Sequence, residues 1–277
     1  MDDPGRTAVT PSLHHVVTGP SDAPPLLLGP SLGTSTVVWD PQLASLSRHF
    51  RVIRFDLPGH GGSPTHLLPG AAAGATTVDD LATLVLRLAG DLSLSRFHYA
   101  GISLGGAIGA HLALTAPERV ATLALVCSSA HFGGPGPWWE RAALVRDGGT
   151  GPLLAATPGR WFASDRGPAT DRQARLLDGL ATCDPEGYAA CCDALASYDV
   201  RARLREITTP TLVIGGTQDL ATPLDHAEEL AAGIPHATLT TVRTGHLADE
   251  QPRAVATALL THLSARPASL DLPTPDI

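Results

Sequence analysis

Lysine is absent: all 19 basic residues among the 277 are arginine. That excludes mechanisms needing a side-chain amine, such as a Schiff base, a pyridoxal-phosphate attachment or a P-loop lysine. Aromatic residues make up only 4%, and 19 basic residues face 27 acidic ones for a formal charge of −8, with no basic run. A phosphate backbone would be repelled on average, so no nucleic-acid partner is expected. Cysteine is sparse. Cys127, Cys183, Cys191 and Cys192 show no metal-ligand spacing and read as reduced thiols, so no metal is expected. Long apolar runs are missing too: Ala100 to Ala116 falls short of the roughly 20 residues that span a bilayer. The opening Met-Asp-Asp-Pro-Gly-Arg is acidic where a secretion signal needs a basic segment followed by an apolar one. The expectations are a cytoplasmic protein and no membrane partner.

What is present is ordinary globular composition, 43% hydrophobic with 28 glycines and 24 prolines, which suits one domain carrying an insertion. Short β-favouring runs recur at His14–Thr18, Leu26–Gly29, Val52–Asp56, Phe97–Gly101, Thr122–Cys127, Thr211–Gly215 and Thr238–Val242. The middle ones are apolar throughout, as strands buried on both faces of a parallel sheet should be. Helical periodicity falls between them, at Thr76–Asp91, Leu104–Thr115, Leu224–Ala232 and Arg253–Leu263. This alternation predicts an α/β fold with a doubly wound, mostly parallel sheet, whose ligands bind at the carboxyl ends of the strands.

The alternation lapses once. Between His131 and Val200 the helix-like pieces are Trp138–Arg146, Asp171–Thr182 and Pro185–Ser197, the last with Asp184 as N-cap and Pro185 at its first position. Roughly 70 residues of helix placed after a strand end predict a lid over the strand termini. Residues 1–130 and 200–265 are therefore expected to form the core, 131–199 the helical lid, and the proline-bearing 266–277 a flexible tail.

Gly101-Ile102-Ser103-Leu104-Gly105 is a G-x-S-x-G directly between a strand run and an apolar helix. That setting marks a nucleophile elbow, expected to leave Ser103 exposed at the turn. The two glycines remove side chains that would collide in so tight a bend, and the Leu104 amide is left free at a helix N-terminus. A base and an acid should follow in the order acid then histidine, each after a later strand. Asp219 lies beyond Thr211–Gly215 and His246 beyond Thr238–Val242. Asp225 and Asp199 are weaker rivals for the acid, and an Asx turn is the structural alternative for Asp219. A second oxyanion donor should come from Pro30-Ser31-Leu32-Gly33; Pro30 has no amide hydrogen, and Leu32 is preferred over Ser31.

Other features read more plainly. His14-His15 have no evident carboxylate partner, and Pro58-Gly59-His60-Gly61-Gly62-Ser63 matches no dinucleotide fingerprint and is left a turn. Trp138, Trp139, Trp161 and Phe162 suit a lid core, which is also where a substrate pocket finds apolar walls.

These residues carry a resemblance. Ser31–Thr34 with Trp39-Asp40-Pro41, Arg54–Gly61, Gly101–Gly106, Trp138, Arg141, Val145–Gly149, Arg160-Trp161-Phe162, Pro185–Cys192, Gly216–Asp219, Ala221–Pro223, His246-Leu247 and Glu250–Pro252 resemble the α/β-hydrolase superfamily. Within it the lid segments look like those of the 3-oxoadipate enol-lactonases. Arg243-Thr244-Gly245 departs from the more apolar approach to the histidine expected there. The resemblance implies an α/β-hydrolase fold with Ser103 as nucleophile, Asp219 as acid, His246 as base and oxyanion amides on Leu32 and Leu104. It also implies a cofactor-free hydrolysis, in aromatic degradation, of a small-molecule lactone bearing a carboxymethyl arm. An anion entering a protein of charge −8 needs a local positive group. Arg141 and Arg160 are the candidates, flanked by Trp138 and Trp161; Arg141 and Trp138, three apart, should share one helix face. A general carboxylesterase or cofactor-free perhydrolase with the same residues, or a non-catalytic ligand receptor on this fold, stands as the alternative.

Overall fold

A computed structural model describes residues 12–68, 73–163 and 170–264; the expected tail at 266–277 lies outside them. In chain order the strands are β1 (His15–Thr18), β2 (Pro25–Gly29), β3 (Arg51–Phe55), β4 (Phe97–Ile102), β5 (Val120–Val126), β6 (Thr211–Gly216) and β7 (Thr238–Val242). They form one sheet in the order β1-β3-β2-β4-β5-β6-β7, parallel except for β1 against β3. Each strand run read from the sequence lies here within two residues of its expected bounds. β2 through β6 are almost wholly buried, Arg54 of β3 included, whereas β7 at the sheet edge is largely exposed.

The helices are α1 (Asp40–Leu46), α2 (Val78–Asp91), α3 (Leu104–Thr115), α4 (Pro135–Gly148), α5 (Thr157–Trp161), α6 (Asp171–Ala181), α7 (Pro185–Ser197), α8 (Leu224–Gly233) and α9 (Pro252–Leu263). Two of them, α1 and α5, escaped the periodicity, because seven and five residues are too few to repeat an apolar stripe. α2 begins two residues later than its pattern suggests: Thr77 is its N-cap and closes a capping box with Asp80. α3 is apolar on every side and is buried from Leu104 to Ala110, packed on β2, β4 and β5. α1 lies against α9, which crosses β5, β6 and β7. Each large apolar side chain so buried contributes about 1.5–3 kcal/mol.

Helices α4 to α7 occupy the connection from β5 to β6, with α4 packed along α7. The insertion is tied to the core at several points. Arg172 on α6 donates to Asp249 and to the carbonyls of Val37 and Val38 at 2.8 and 3.0 Å. Asp193 on α7 accepts from Arg146 and from the Gly74 amide.

One plain reading needs correcting. His14 does have a carboxylate partner: its Nδ1 lies 2.7 Å from Asp56 Oδ2, and Asp56 also accepts from the amides of Thr36 and Gly62. Spacing along the chain could not show this, since the pair is joined by β1 running antiparallel to β3.

Candidate active site

Ser103 stands alone between β4 and α3 with φ 55° and ψ −116°, a left-handed conformation that costs a non-glycine residue about 1–3 kcal/mol. The surroundings hold it there. Its amide donates to the Val126 carbonyl at 3.0 Å, and its own carbonyl accepts from Ala107 N and Ser128 Oγ. A Cβ on Gly101 would come within 2.2 Å of the Gly105 backbone, and one on Gly105 within 2.4 Å of the Gly29 carbonyl, so the bend closes only with glycine at both positions. The serine is not exposed as the turn alone suggests. It is 5% accessible, because the insertion covers the strand ends.

Asp219 follows β6 and His246 follows β7. Asp219 Oδ2 lies 2.9 Å from His246 Nδ1 and accepts from Thr222 Oγ1 at 2.7 Å, while Oδ1 accepts from the amides of Ala221 and Thr222. The Asx turn and the imidazole contact, alternatives in the sequence, thus coexist on one carboxylate, one oxygen serving each. Burial opposes the charge of Asp219, but His246 and the hydrogen bonds from His246 and Thr222 outweigh it and hold the carboxyl below its ordinary range. A carboxylate on Nδ1 fixes the tautomer that leaves Nε2 as the free nitrogen. The rivals lie elsewhere: Asp225 is an exposed residue of α8, and Asp199 is paired with Arg201.

The loop that carries His246 is braced. Glu250 Oε2 accepts from Thr244 Oγ1 at 2.7 Å and from Gly245 N at 2.9 Å, and Oε1 accepts from Ala163 N at 2.6 Å. Sequence reading passed over Glu250 except as part of a resemblance, because nothing in its spacing announces a partner on the insertion.

His60 is the other residue missed. Its Nδ1 lies 2.9 Å from the Pro58 carbonyl, which can only accept, so Nδ1 carries the proton and Nε2 accepts from the Gly33 amide at 3.0 Å. Burial pushes the His60 pKa down, against the Pro58 carbonyl and the charges of Asp56 and Asp184, which favours this neutral form. The glycine-rich turn at Pro58–Ser63 therefore anchors the loop that presents Leu32, and Gly33 holds that loop at φ 80°. Leu104 is the first residue of α3, where an amide has no partner within its own helix.

Ser103, His246 and Leu32 line one cavity of about 130 Å³ with Trp138, Arg141, Arg160 and Trp161. The Arg141 guanidinium lies 5.1 Å from the centre of the Trp138 ring, so the two share a face of α4 as their spacing requires. Neither Arg141 nor Arg160 forms an ion pair among the described residues. Burial, and then the charge of Arg141 nearby, lower the pKa of Arg160, against the pull of Asp219 and Tyr188. No group of three histidine, cysteine or carboxylate side chains is gathered to hold a metal among the described residues, and no helix there is long and apolar enough to cross a membrane.

A hydroxyl on a strained turn, an imidazole oriented by a buried carboxylate and two guanidiniums around one cavity can serve acyl transfer to water. The comparisons agree with this class. The model of the α/β hydrolase fold matches residues 24–151. The 3-oxoadipate enol-lactonase 2 of Acinetobacter baylyi is 35% identical over 90% of this chain and 91% of its own. RutD of Stutzerimonas stutzeri, named provisionally as a carbamate hydrolase, is 30% identical over 88% of this chain and 92% of its own. The crystal structure of the enol-lactonase from Burkholderia xenovorans superposes with a TM-score of 0.85 at 34% identity, over 91% of this chain and 96% of that one. The chain belongs to the α/β-hydrolase family, in the part of it that holds the 3-oxoadipate enol-lactonases.

Proposed function

We propose that this protein hydrolyses 3-oxoadipate enol-lactone through an acyl-serine. Ser103 Oγ attacks the ring carbonyl as His246 Nε2 takes its proton, and Asp219 stabilises the imidazolium that forms. The tetrahedral oxyanion rests on the amides of Leu32 and Leu104. The ring C–O bond breaks, the leaving oxygen takes the proton back from His246, and the released enol becomes a ketone, which makes reversal difficult. Water, giving a proton to His246, then attacks the acyl-serine; 3-oxoadipate leaves and Ser103 regains its hydrogen.

The observation that carries the reading is the pair Arg141 and Arg160, which line the cavity that holds Ser103 and His246 and form no ion pair among the described residues. Two guanidiniums at one cavity, on half-buried Arg141 and exposed Arg160, favour an anionic ligand, and the carboxymethyl arm of the enol-lactone supplies one. The test offers purified protein the enol-lactone, muconolactone and p-nitrophenyl acetate and compares kcat/KM. The reading requires the enol-lactone to lead; a lead for the simple ester would favour a general esterase, and no turnover of any would favour a ligand receptor. The likeness to RutD favours a second reading, hydrolysis of a carbamate, and a carbamate ester belongs in the same assay. The cations are the discriminator, since a neutral carbamate has no use for them.

A further inference from the structure

The cavity around Ser103 does not end at the arginines. A second cavity of about 300 Å³ adjoins it, and Phe132, Trp138, Arg141, Arg160 and Ala221 line both. The outer one adds Pro137, Gly133 and His226. Arg141 and Arg160 therefore stand at a junction, where a ligand's anionic end could continue past them.

The polar side chains of the outer cavity are all basic. His226, on α8, is oriented by Ser129: Ser129 Oγ lies 2.5 Å from His226 Nδ1, and the single Ser129 hydroxyl proton goes to the His131 carbonyl. Nδ1 is then a donor, and with a second proton on the ring Nε2 is a free donor that can meet a carboxylate, whereas the neutral ring offers only a lone pair there. The ring is further fixed by stacking on His131 at 5.4 Å. Of the carboxylates near this corner, Glu229 lies 3.7 Å from His131, Asp199 lies 2.6 Å from Arg201, and Asp225 Oδ1 accepts from the His226 amide at 3.0 Å. The remaining side chains of the wall, Phe132, Pro137, Trp138 and Ala221, are apolar. Apolar walls with basic groups at two depths match a hydrocarbon chain that ends in a carboxylate.

We infer that the outer cavity is a second subsite, with His226 at its far side, for the terminal carboxylate of acyl chains longer than a carboxymethyl arm. The substrate class is the monoesters of straight-chain dicarboxylic acids. The inference rests on the reading of Ser103 as nucleophile and extends it: a short acid arm stops at Arg141 and Arg160, and a longer one reaches His226.

The experiment uses p-nitrophenyl monoesters of succinic, adipic and suberic acids, each against the neutral p-nitrophenyl alkanoate of the same chain length. The expected preference for the acid in kcat/KM is at least about tenfold at adipate and suberate, the worth of one charge-assisted hydrogen bond. In His226→Leu the loss of that preference should grow with chain length, to roughly threefold or more at suberate. A preference that vanishes beyond succinate, or a His226→Leu loss that is equal at every length, would overturn the second subsite. Calorimetry separates this from the reading beneath it: suberate titrated into Ser103→Ala should bind at least about tenfold more tightly than octanoate, whether or not any ester is turned over. Equal binding of the two sinks the inference, whereas absence of ester turnover with suberate still preferred sinks only the nucleophile.

Discussion

His246 Nδ1 meets Asp219 Oδ2 at 2.9 Å, and both side chains are almost fully buried. The contact joins residues 27 apart in sequence, brought together because β6 and β7 are parallel neighbours whose carboxyl ends open on one side of the sheet. The same edge receives the turn after β4. Chemistry on this protein is therefore a matter of which loops leave the sheet at that end.

Ser103→Ala should lower turnover of any ester or lactone by about 10³-fold or more, since the remaining groups cannot form an acyl intermediate. The fold should survive, because only one oxygen is lost and the bend is set by Gly101 and Gly105. Turnover of p-nitrophenyl acetate together with a thermal melt checks both. A soluble variant keeping more than about a tenth of the activity would remove Ser103 from the mechanism.

Asp219→Asn should cost on the order of 10⁴ in kcat by favouring the wrong imidazole tautomer. It should also change how stability depends on pH. The Asp219 pKa is depressed by folding, so its contribution is complete above the ordinary carboxylate range, about 3.9, and fades as pH falls through its own lower value. The stability gap between wild type and Asp219→Asn, read from urea melts, should be wider at about pH 7 than at about pH 3. An equal gap at both would mean that the carboxylate gains nothing from its partners.

Much of this was legible in the sequence, and what was not has a common cause. The buried strands and the elbow announce themselves because a run of apolar residues and a pair of glycines are local facts. Likewise Asp219 and His246 are found by position, each just past a strand. His60 on the Gly33 amide, Glu250 on Ala163 and His14 on Asp56 join segments 27, 87 and 42 residues apart, and no pattern in one segment names its partner in another. Even the burial of Ser103 depends on an insertion whose packing no local spacing reveals.

Glu250→Gln tests one of those missed contacts. Both carboxylate oxygens accept, from Thr244, Gly245 and Ala163, and an amide can place an oxygen at one end only. The NH₂ end would face another donor, and the His246 loop should loosen. A fall in kcat of about 10- to 100-fold with KM little changed is expected, as for a displaced base. A rise in KM alone would show that Glu250 shapes the cavity and not the histidine.

Gly105→Ala should destabilise the protein by more than about 3 kcal/mol, because its Cβ would meet the Gly29 carbonyl at 2.4 Å, and that is backbone against backbone. Gly90→Ala in α2 is the control. Nothing lies within 4 Å of its added carbon, and alanine is the better helix former, so it should be neutral or slightly stabilising. Chemical denaturation of the two variants gives the comparison, and equal losses would refute the packing account of the elbow.

The last test concerns the charge that separates an enol-lactonase from a general esterase. A carboxylate leaving water for a partly apolar cavity costs several kcal/mol unless a guanidinium meets it. Arg141 is the better placed for that duty, since its guanidinium lies over the Trp138 ring and has no carboxylate partner among the described residues. The same stacking means that Arg141→Ala would remove packing along with charge. Arg141→Met keeps a long stem over Trp138 and removes the charge alone. It should cut kcat/KM for the enol-lactone by roughly 10- to 100-fold, the worth of about 1.5–3 kcal/mol, and cost p-nitrophenyl acetate far less. Equal losses on the two substrates would mean that Arg141 holds the insertion in shape, and the anion would then have to be met by Arg160, whose own methionine variant should show the selective loss instead.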